Sequence, residues 1–133
     1  MANILFVCTS NKDRSPALEK YFKIIENDSM CFEGSNFRSA GVNKYFTAKH
    51  GTKLITLEDI AWANCIVYAE EIHKEITHRM FPEHINSWAQ HRYSLKKELI
   101  LAPDCGEFKP DANGFDEAYL TKAEQKLIAA RCY

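Results

Sequence analysis

Ile4-Leu5-Phe6-Val7-Cys8-Thr9-Ser10-Asn11-Lys12-Asp13-Arg14-Ser15-Pro16 is the stretch on which the reading of this chain turns. Its first four residues are a continuous, β-rich apolar run, the pattern of a strand buried on both faces in a parallel sheet. The run ends at Cys8. A polar turn follows, and Pro16 then opens a helix at its first position, with Ala17, Leu18, Tyr21, Phe22 and Ile25 at helical spacing. Strand, loop and helix follow one another without a linker. In open parallel sheets, ligands sit where a strand's carboxyl end hands over to a helix N-terminus.

The same alternation continues along the chain. Residues 37–40, before Gly41, read as a second strand, and residues 42–53 as a loop with a helical turn. Thr56 and Asp59 are spaced as a near capping box opening a short helix through Ala63. Cys65-Ile66-Val67-Tyr68 is a third buried strand, and residues 70–80 a helix stopped before Pro82. Residues 84–97 show no clean period, with residues 85–88 a strand remnant. Leu99-Ile100-Leu101 is a fourth strand, ended by Pro103, and residues 116–131 a final amphipathic helix. The prediction is an α/β fold: a single domain over residues 1–133, an open twisted parallel sheet of about four strands with helices on both faces, and a phosphate loop after the first strand.

Composition agrees. The chain has 133 residues, 46% apolar and 26% charged, which fits one ordinary folded domain and excludes a disordered or collagen-like one. Its longest apolar run, residues 4–8, is far short of the roughly 20 residues of a membrane span. The N-terminal residues carry no positive charge before that run, so a secretory signal is not expected and a cytoplasmic location is. Seventeen basic against eighteen acidic side chains leave a net charge of −1, so neither nucleic acid nor an anionic membrane is an expected partner. Five cysteines, without a Cys-x-x-Cys pair and odd in number, fit free thiols rather than a zinc site or a disulfide framework.

The loop after the first strand carries the chemistry. Cys8 and Arg14 are separated by five residues, so the intervening chain can curl until successive amides point inward and form a concave anion site. Arg14 closes that ring with a planar fork matched to two phosphate oxygens. Cys8 is useful as a thiolate, a form favoured by the helix N-terminus, the amides and Arg14, with Ser15 steadying the sulfur. Attack on phosphorus gives a phosphocysteine, and catalysis then rests on positioning and charge stabilisation. Thr9, Ser10, Asn11, Lys12, Asp13, Arg14 and Ser15 are the expected substrate-binding residues. Inorganic phosphate or sulfate should occupy the same loop. The chemistry calls for no metal and no cofactor.

Val7-Cys8 through Arg14-Ser15-Pro16 resembles the signature of the low-molecular-weight protein tyrosine phosphatases, including Asn11, which braces the loop in that family. Ser39-Ala40-Gly41, Thr56-Leu57-Glu58-Asp59-Ile60-Ala61-Trp62-Ala63 and Glu70-Glu71-Ile72-His73-Lys74 are similar to a small bacterial branch of predicted tyrosine phosphatases. The resemblance covers most of residues 3–81 and recurs near 99–104. It implies a phosphorylated protein, phosphotyrosine in particular, or a small aryl phosphate as substrate. It also implies a general acid after the last strand, where Ala102-Pro103-Asp104 matches the family's Asp, with Asp111 as the rival. Tyr45, with Phe46, corresponds to the family's wall for an aromatic substrate. The chain departs from the pattern at Ser10, where Gly is usual, and at Asp13, whose carboxylate disfavours a nearby thiolate and repels a phosphate dianion. The family's aromatic pair after the acid is replaced by Cys105-Gly106.

Other readings compete. Cys31, Cys65 and Cys132 fit small buried hydrophobes. Asp104 is also a good turn residue, and Tyr45 and Phe46 also fit a loop anchor. Arsenate reduction would use the same loop, with Cys8 forming the adduct and Cys105 resolving it. A phosphate-binding or regulatory module that lost turnover because of Asp13 is the reading from a different class.

Overall fold

The structure, a computed structural model, describes residues 2–83 and 96–133. Its strands are β1 (Asn3–Cys8), β2 (Asn36–Gly41), β3 (Cys65–Tyr68) and β4 (Lys97–Ile100). The helices among the described residues are α1 (Arg14–Ile25), α2 (Lys44–His50), α3 (Leu57–Trp62), α4 (Glu71–Met80) and α5 (Glu117–Ala129). All strand pairs among the described residues are parallel, in the order β2-β1-β3-β4. This is the predicted α/β sheet.

β1 is buried on both faces because its alternate side chains feed two cores. Ile4 and Phe6 pack with Leu18 and Phe22 of α1 and with Leu120, Ala123 and Leu127 of α5. Leu5 and Val7 pack on the opposite face with Ile60 of α3 and with Ile55 and Ala40. Two layers of helix therefore sandwich the sheet, and a continuously apolar strand is the pattern this requires. The chain leaves β1 for β2 on one side and reaches β3 on the other. The carboxyl end of β1 is thus the topological switch point, with Cys8 as its last residue.

Two local expectations need correcting. α1 starts at Arg14, with Asp13 at its N-cap, so Pro16 is the third helical residue and not the first. A helix leaves its first four amides unpaired, so proline is tolerated throughout that turn. Residues 42–53 contain the seven-residue α2 rather than a loop with a turn. Asn43 caps it by accepting from the Phe46 amide at 2.9 Å, and Gly51 ends it at φ +64. Asn at the start and Gly at the end were its sequence signals, obscured by the lack of an apolar period. The expected capping box at Thr56 and Asp59 is present. The strand remnant expected at residues 85–88 lies outside the described residues. No helix among the described residues is long and apolar enough to cross a membrane.

Candidate active site

Cys8 closes β1 in register with Gly41 of β2, which places the loop over residues 9–13 above the switch point. Gly41 is required there by space: a Cβ on it would come within 2.8 Å of the Asn11 nitrogen and of Thr47 Cγ2. The loop is tied down from outside. The Thr9 carbonyl accepts the Asn43 amide at 3.0 Å, the Cys8 carbonyl accepts the Val42 amide at 3.0 Å, and the Thr52 hydroxyl donates to the Ser10 carbonyl. Asn11 takes the left-handed backbone, φ +55, which Asn accepts more readily than most residues. Ser10, in the family's glycine position, has no positive φ.

A chain of side-chain bonds leads to the sulfur. Asn11 Nδ2 donates to Ser15 Oγ at 3.0 Å and to Ser39 Oγ at 2.9 Å. Ser15 Oγ lies 2.9 Å from Cys8 Sγ. With the Asn11 donor on its lone pair, the Ser15 hydroxyl has one proton to give, and both the sulfur and the Ala40 carbonyl, 3.4 Å away, are within its reach. Cys8 is only 3% exposed, but its bonded neighbour is a buried hydroxyl rather than hydrocarbon.

Arg14 begins α1 and extends Nη1 to Glu70 Oε2 at 2.8 Å. Glu70 is the residue before α4, at the carboxyl end of β3. The bond from Arg14 lowers the Glu70 carboxyl below its ordinary range. His73, one turn into α4, accepts the Glu70 amide on Nδ1 at 3.0 Å. Its proton is therefore on Nε2, which donates to Thr9 Oγ1 at 2.9 Å. Burial, helped by the Arg14 charge and opposed by Glu70, pushes His73 down to about 4, so the ring is neutral and this tautomer fixed.

Beside Arg14 opens a cleft of about 450 Å³ whose lining includes Asp13, Glu70, Glu107, Phe108 and Tyr119. Tyr119, on α5, is 4% exposed, and its hydroxyl has no hydrogen-bond partner among the described residues. Burial raises it to about 12, with Arg14 pulling down and Cys105, Cys8 and Glu70 adding to the rise. The hydroxyl is thus a protonated, unspent donor at the cleft wall.

The predicted residues divide. Cys8, Asn11 and Ser15 are joined by hydrogen bonds, Thr9 is fixed by His73, and Arg14 faces the cleft. Lys12 and Asp13 are exposed on the rim, and Asp13 is in no ion pair among the described residues, so solvent screens its charge. Asp104 does not line the cleft; its carboxylate takes Lys126 Nζ of α5 at 2.6 Å. Asp111 accepts the amides of Asn113 and Phe115 in its own turn. Tyr45 sits on α2, 67% exposed, with its ring against Phe46 at 5.2 Å. Cys105 is buried in the core, which pushes its thiol up.

Sequence reasoning missed Glu70, His73, Glu107 and Tyr119 as site residues. Glu70 and His73 were legible in principle, because residues just past the strand beside β1 belong to the switch point. Tyr119 matched a core position of an amphipathic helix, and nothing in the periodicity distinguishes a core tyrosine from a cleft tyrosine. Among the described residues no cluster of three His, Cys, Asp or Glu comes together in a way that would hold a metal.

No family model matches the chain, and no curated protein matches it either. Solved structures do. A low molecular weight protein tyrosine phosphatase from Bacillus subtilis is 25% identical, with 97% of this chain and 99% of that one covered and a TM-score of 0.58. The YwlE arginine phosphatase from Geobacillus stearothermophilus is 24% identical, covering 98% and 90%, at a TM-score of 0.55. The Erwinia amylovora tyrosine phosphatase AmsI is 20% identical, covering 98% and 93%, at a TM-score of 0.61. Sheet order, the loop at the end of β1 and near-complete coverage of both chains agree: this chain has the fold of the low-molecular-weight protein tyrosine phosphatases.

Proposed function

We propose that the protein is a cysteine-dependent phosphatase that hydrolyses phosphomonoesters, protein phosphotyrosine or a small aryl phosphate, through a phosphocysteine. The observation that carries this reading is the Asn11–Ser15–Cys8 chain of hydrogen bonds under a loop whose guanidinium faces the cleft. Cys8 Sγ attacks phosphorus, and the leaving oxygen departs with a proton. Arg14 and the amides of residues 9–14 hold the equatorial oxygens. Water then attacks the phosphocysteine and frees the thiolate and inorganic phosphate. A YwlE cysteine-to-serine mutant with a phosphorylated active-site serine supports such a covalent step on this fold.

The proton comes from a carboxyl of the loop between β4 and α5. Asp104 has the family resemblance, whereas Glu107 has the place in the cleft. Asp104 acts only after leaving Lys126, while Glu107 already lines the cleft, with Lys109 Nζ 3.8 Å from its carboxylate. Tyr45 and Phe46, exposed on the neighbouring α2, supply a rim for the substrate's ring. The compartment that keeps such a thiol reduced is the cytoplasm. The near-balanced charge supports a phosphorylated protein over nucleic acid or a membrane surface as the partner.

One observation favours a second substrate. Asp13, Glu70 and Glu107 line the cleft against Arg14 alone, and this acidic wall suits a cationic leaving group such as the guanidinium of phosphoarginine. The related fold of an arginine phosphatase points the same way. Purified protein should release phosphate from an aryl phosphate with a phosphoenzyme burst, and Cys8→Ser should abolish turnover. Higher kcat/KM on a phosphoarginine peptide than on a phosphotyrosine peptide would select the second substrate. Wild-type turnover by Cys8→Ser would sink both.

A further inference from the structure

Cys65 is the first residue of β3 and Cys8 the last of β1, so in a parallel sheet they stand at opposite ends. Beyond the reach of the candidate active site, Cys65 Sγ lies 2.6 Å from Cys132 Sγ. Both residues are only 2% exposed. Two sulfurs this close need only a small further approach to reach the roughly 2.05 Å of a disulfide bond. The pair is not sealed. It borders a cavity of about 220 Å³, lined also by Asn64, Lys97 and Arg131, large enough for a peroxide molecule. Both thiols are free as the structure stands.

We propose that Cys65 and Cys132 are an oxidisable dithiol that closes to a disulfide, tying the segment after α5 to the start of β3. The inference goes beyond the catalytic reading and does not rest on it. The two thiols have distinct roles. The Cys65 S–H donates to Cys132 and Lys97 stands near, so Cys132 is the easier thiolate, while the same bond and burial push Cys65 up. The oxidant is a small peroxide. Cys132 Sγ attacks one peroxide oxygen and breaks the O–O bond, giving a sulfenic acid and hydroxide, which leaves as water. Cys65 Sγ, losing its proton, then attacks Cys132 Sγ and expels the hydroxyl as a second water. Two thiols lose two electrons, and one hydrogen peroxide gains them.

The bridge spans 67 positions of sequence, so it removes considerable freedom from the unfolded chain and should raise stability without touching the cleft. The test uses full-length Cys8→Ser protein, which keeps four of the five cysteines, treated with hydrogen peroxide under native conditions. The expected result is a mass loss of about 2 Da and two titratable thiols instead of four. Digestion should give a peptide linking residues 65 and 132, and Tm should rise by on the order of 10 °C, reversed by dithiothreitol. Cys132→Ala in the same background should lose all of these changes. Four remaining thiols, or a linked peptide joining any other pair, would overturn the proposal. The peptide map needs no further variant and no activity, so it decides the matter even if Cys132→Ala folds poorly or the phosphatase reading fails.

Discussion

Arg14 Nη1 meets Glu70 Oε2 at 2.8 Å, joining the first residue of α1 to the residue before α4 across the mouth of the candidate site. Glu70 is about half exposed, so the pair adds little to stability. Its consequence is for orientation. A guanidinium held by one nitrogen still presents its remaining donors to a phosphoryl group, at the cost of a carboxylate that repels the same dianion. Glu70→Gln keeps the acceptor and removes the charge, so kcat should change less than threefold while phosphate inhibits more tightly. Glu70→Ala frees Arg14 and should lower kcat about tenfold or more. Steady-state kinetics with phosphate as inhibitor separate the two. Equal kcat in both variants would remove the orienting role.

Much of this site was legible because one strand and one loop carry most of it. Ile4, Leu5, Phe6 and Val7 are buried on both faces, and that pattern, followed by alternating helices and strands, points to a parallel sheet with Cys8 at its rim. The Asn11 and Ser15 contacts lie within the same short loop, where spacing predicts proximity. The partners that sequence did not supply all come from far along the chain: Glu70 and His73 from the element after β3, Glu107 and Tyr119 from beyond β4. Asp104 shows the opposite failure. Its position after the strand is right, but Lys126, 22 residues further on in an amphipathic helix read only for its apolar stripe, donates to its carboxylate.

Gly41 sets a strict steric limit under the loop. Gly41→Ala would bring a methyl group within 2.8 Å of the Asn11 nitrogen and the Ser10 carbonyl carbon, backbone atoms that cannot swing aside. The expected cost is about 1–3 kcal/mol by urea unfolding, with kcat/KM reduced at least tenfold because the loop shifts away from Cys8. Full activity with unchanged stability would mean that the loop does not rest on this position.

His73 makes stability depend on pH in a defined window. The folded ring titrates near 4, against about 6.5 when unfolded, because burial and Arg14 oppose its charge. Between these values the unfolded chain binds a proton that the folded one refuses. The contribution is therefore complete above pH 6.5 and is lost as pH falls toward 4, by up to about 2 kcal/mol once solvent screening is allowed for. His73→Asn retains an acceptor for the Glu70 amide but does not titrate, so its unfolding free energy should fall less between pH 6.5 and 4.5. Parallel curves for wild type and variant would show that the ring takes its proton freely in the folded state.

Tyr119 offers a separation of stability from activity. A buried hydroxyl without a partner lowers stability, so Tyr119→Phe should leave unfolding free energy equal or raise it by up to about 1 kcal/mol. The same hydroxyl, protonated over the whole working range because burial raises it to about 12, stands in the cleft wall with Arg14. From there it would donate to an oxygen of a bound phosphoryl group, and an unspent donor is worth most when charge develops on the oxygen it faces. Kcat/KM should accordingly fall about tenfold in Tyr119→Phe, with a weaker grip on inorganic phosphate, measured beside Tm on the same preparation. A core role predicts the reverse, lower stability with kinetics unchanged, and that result would move Tyr119 out of the site.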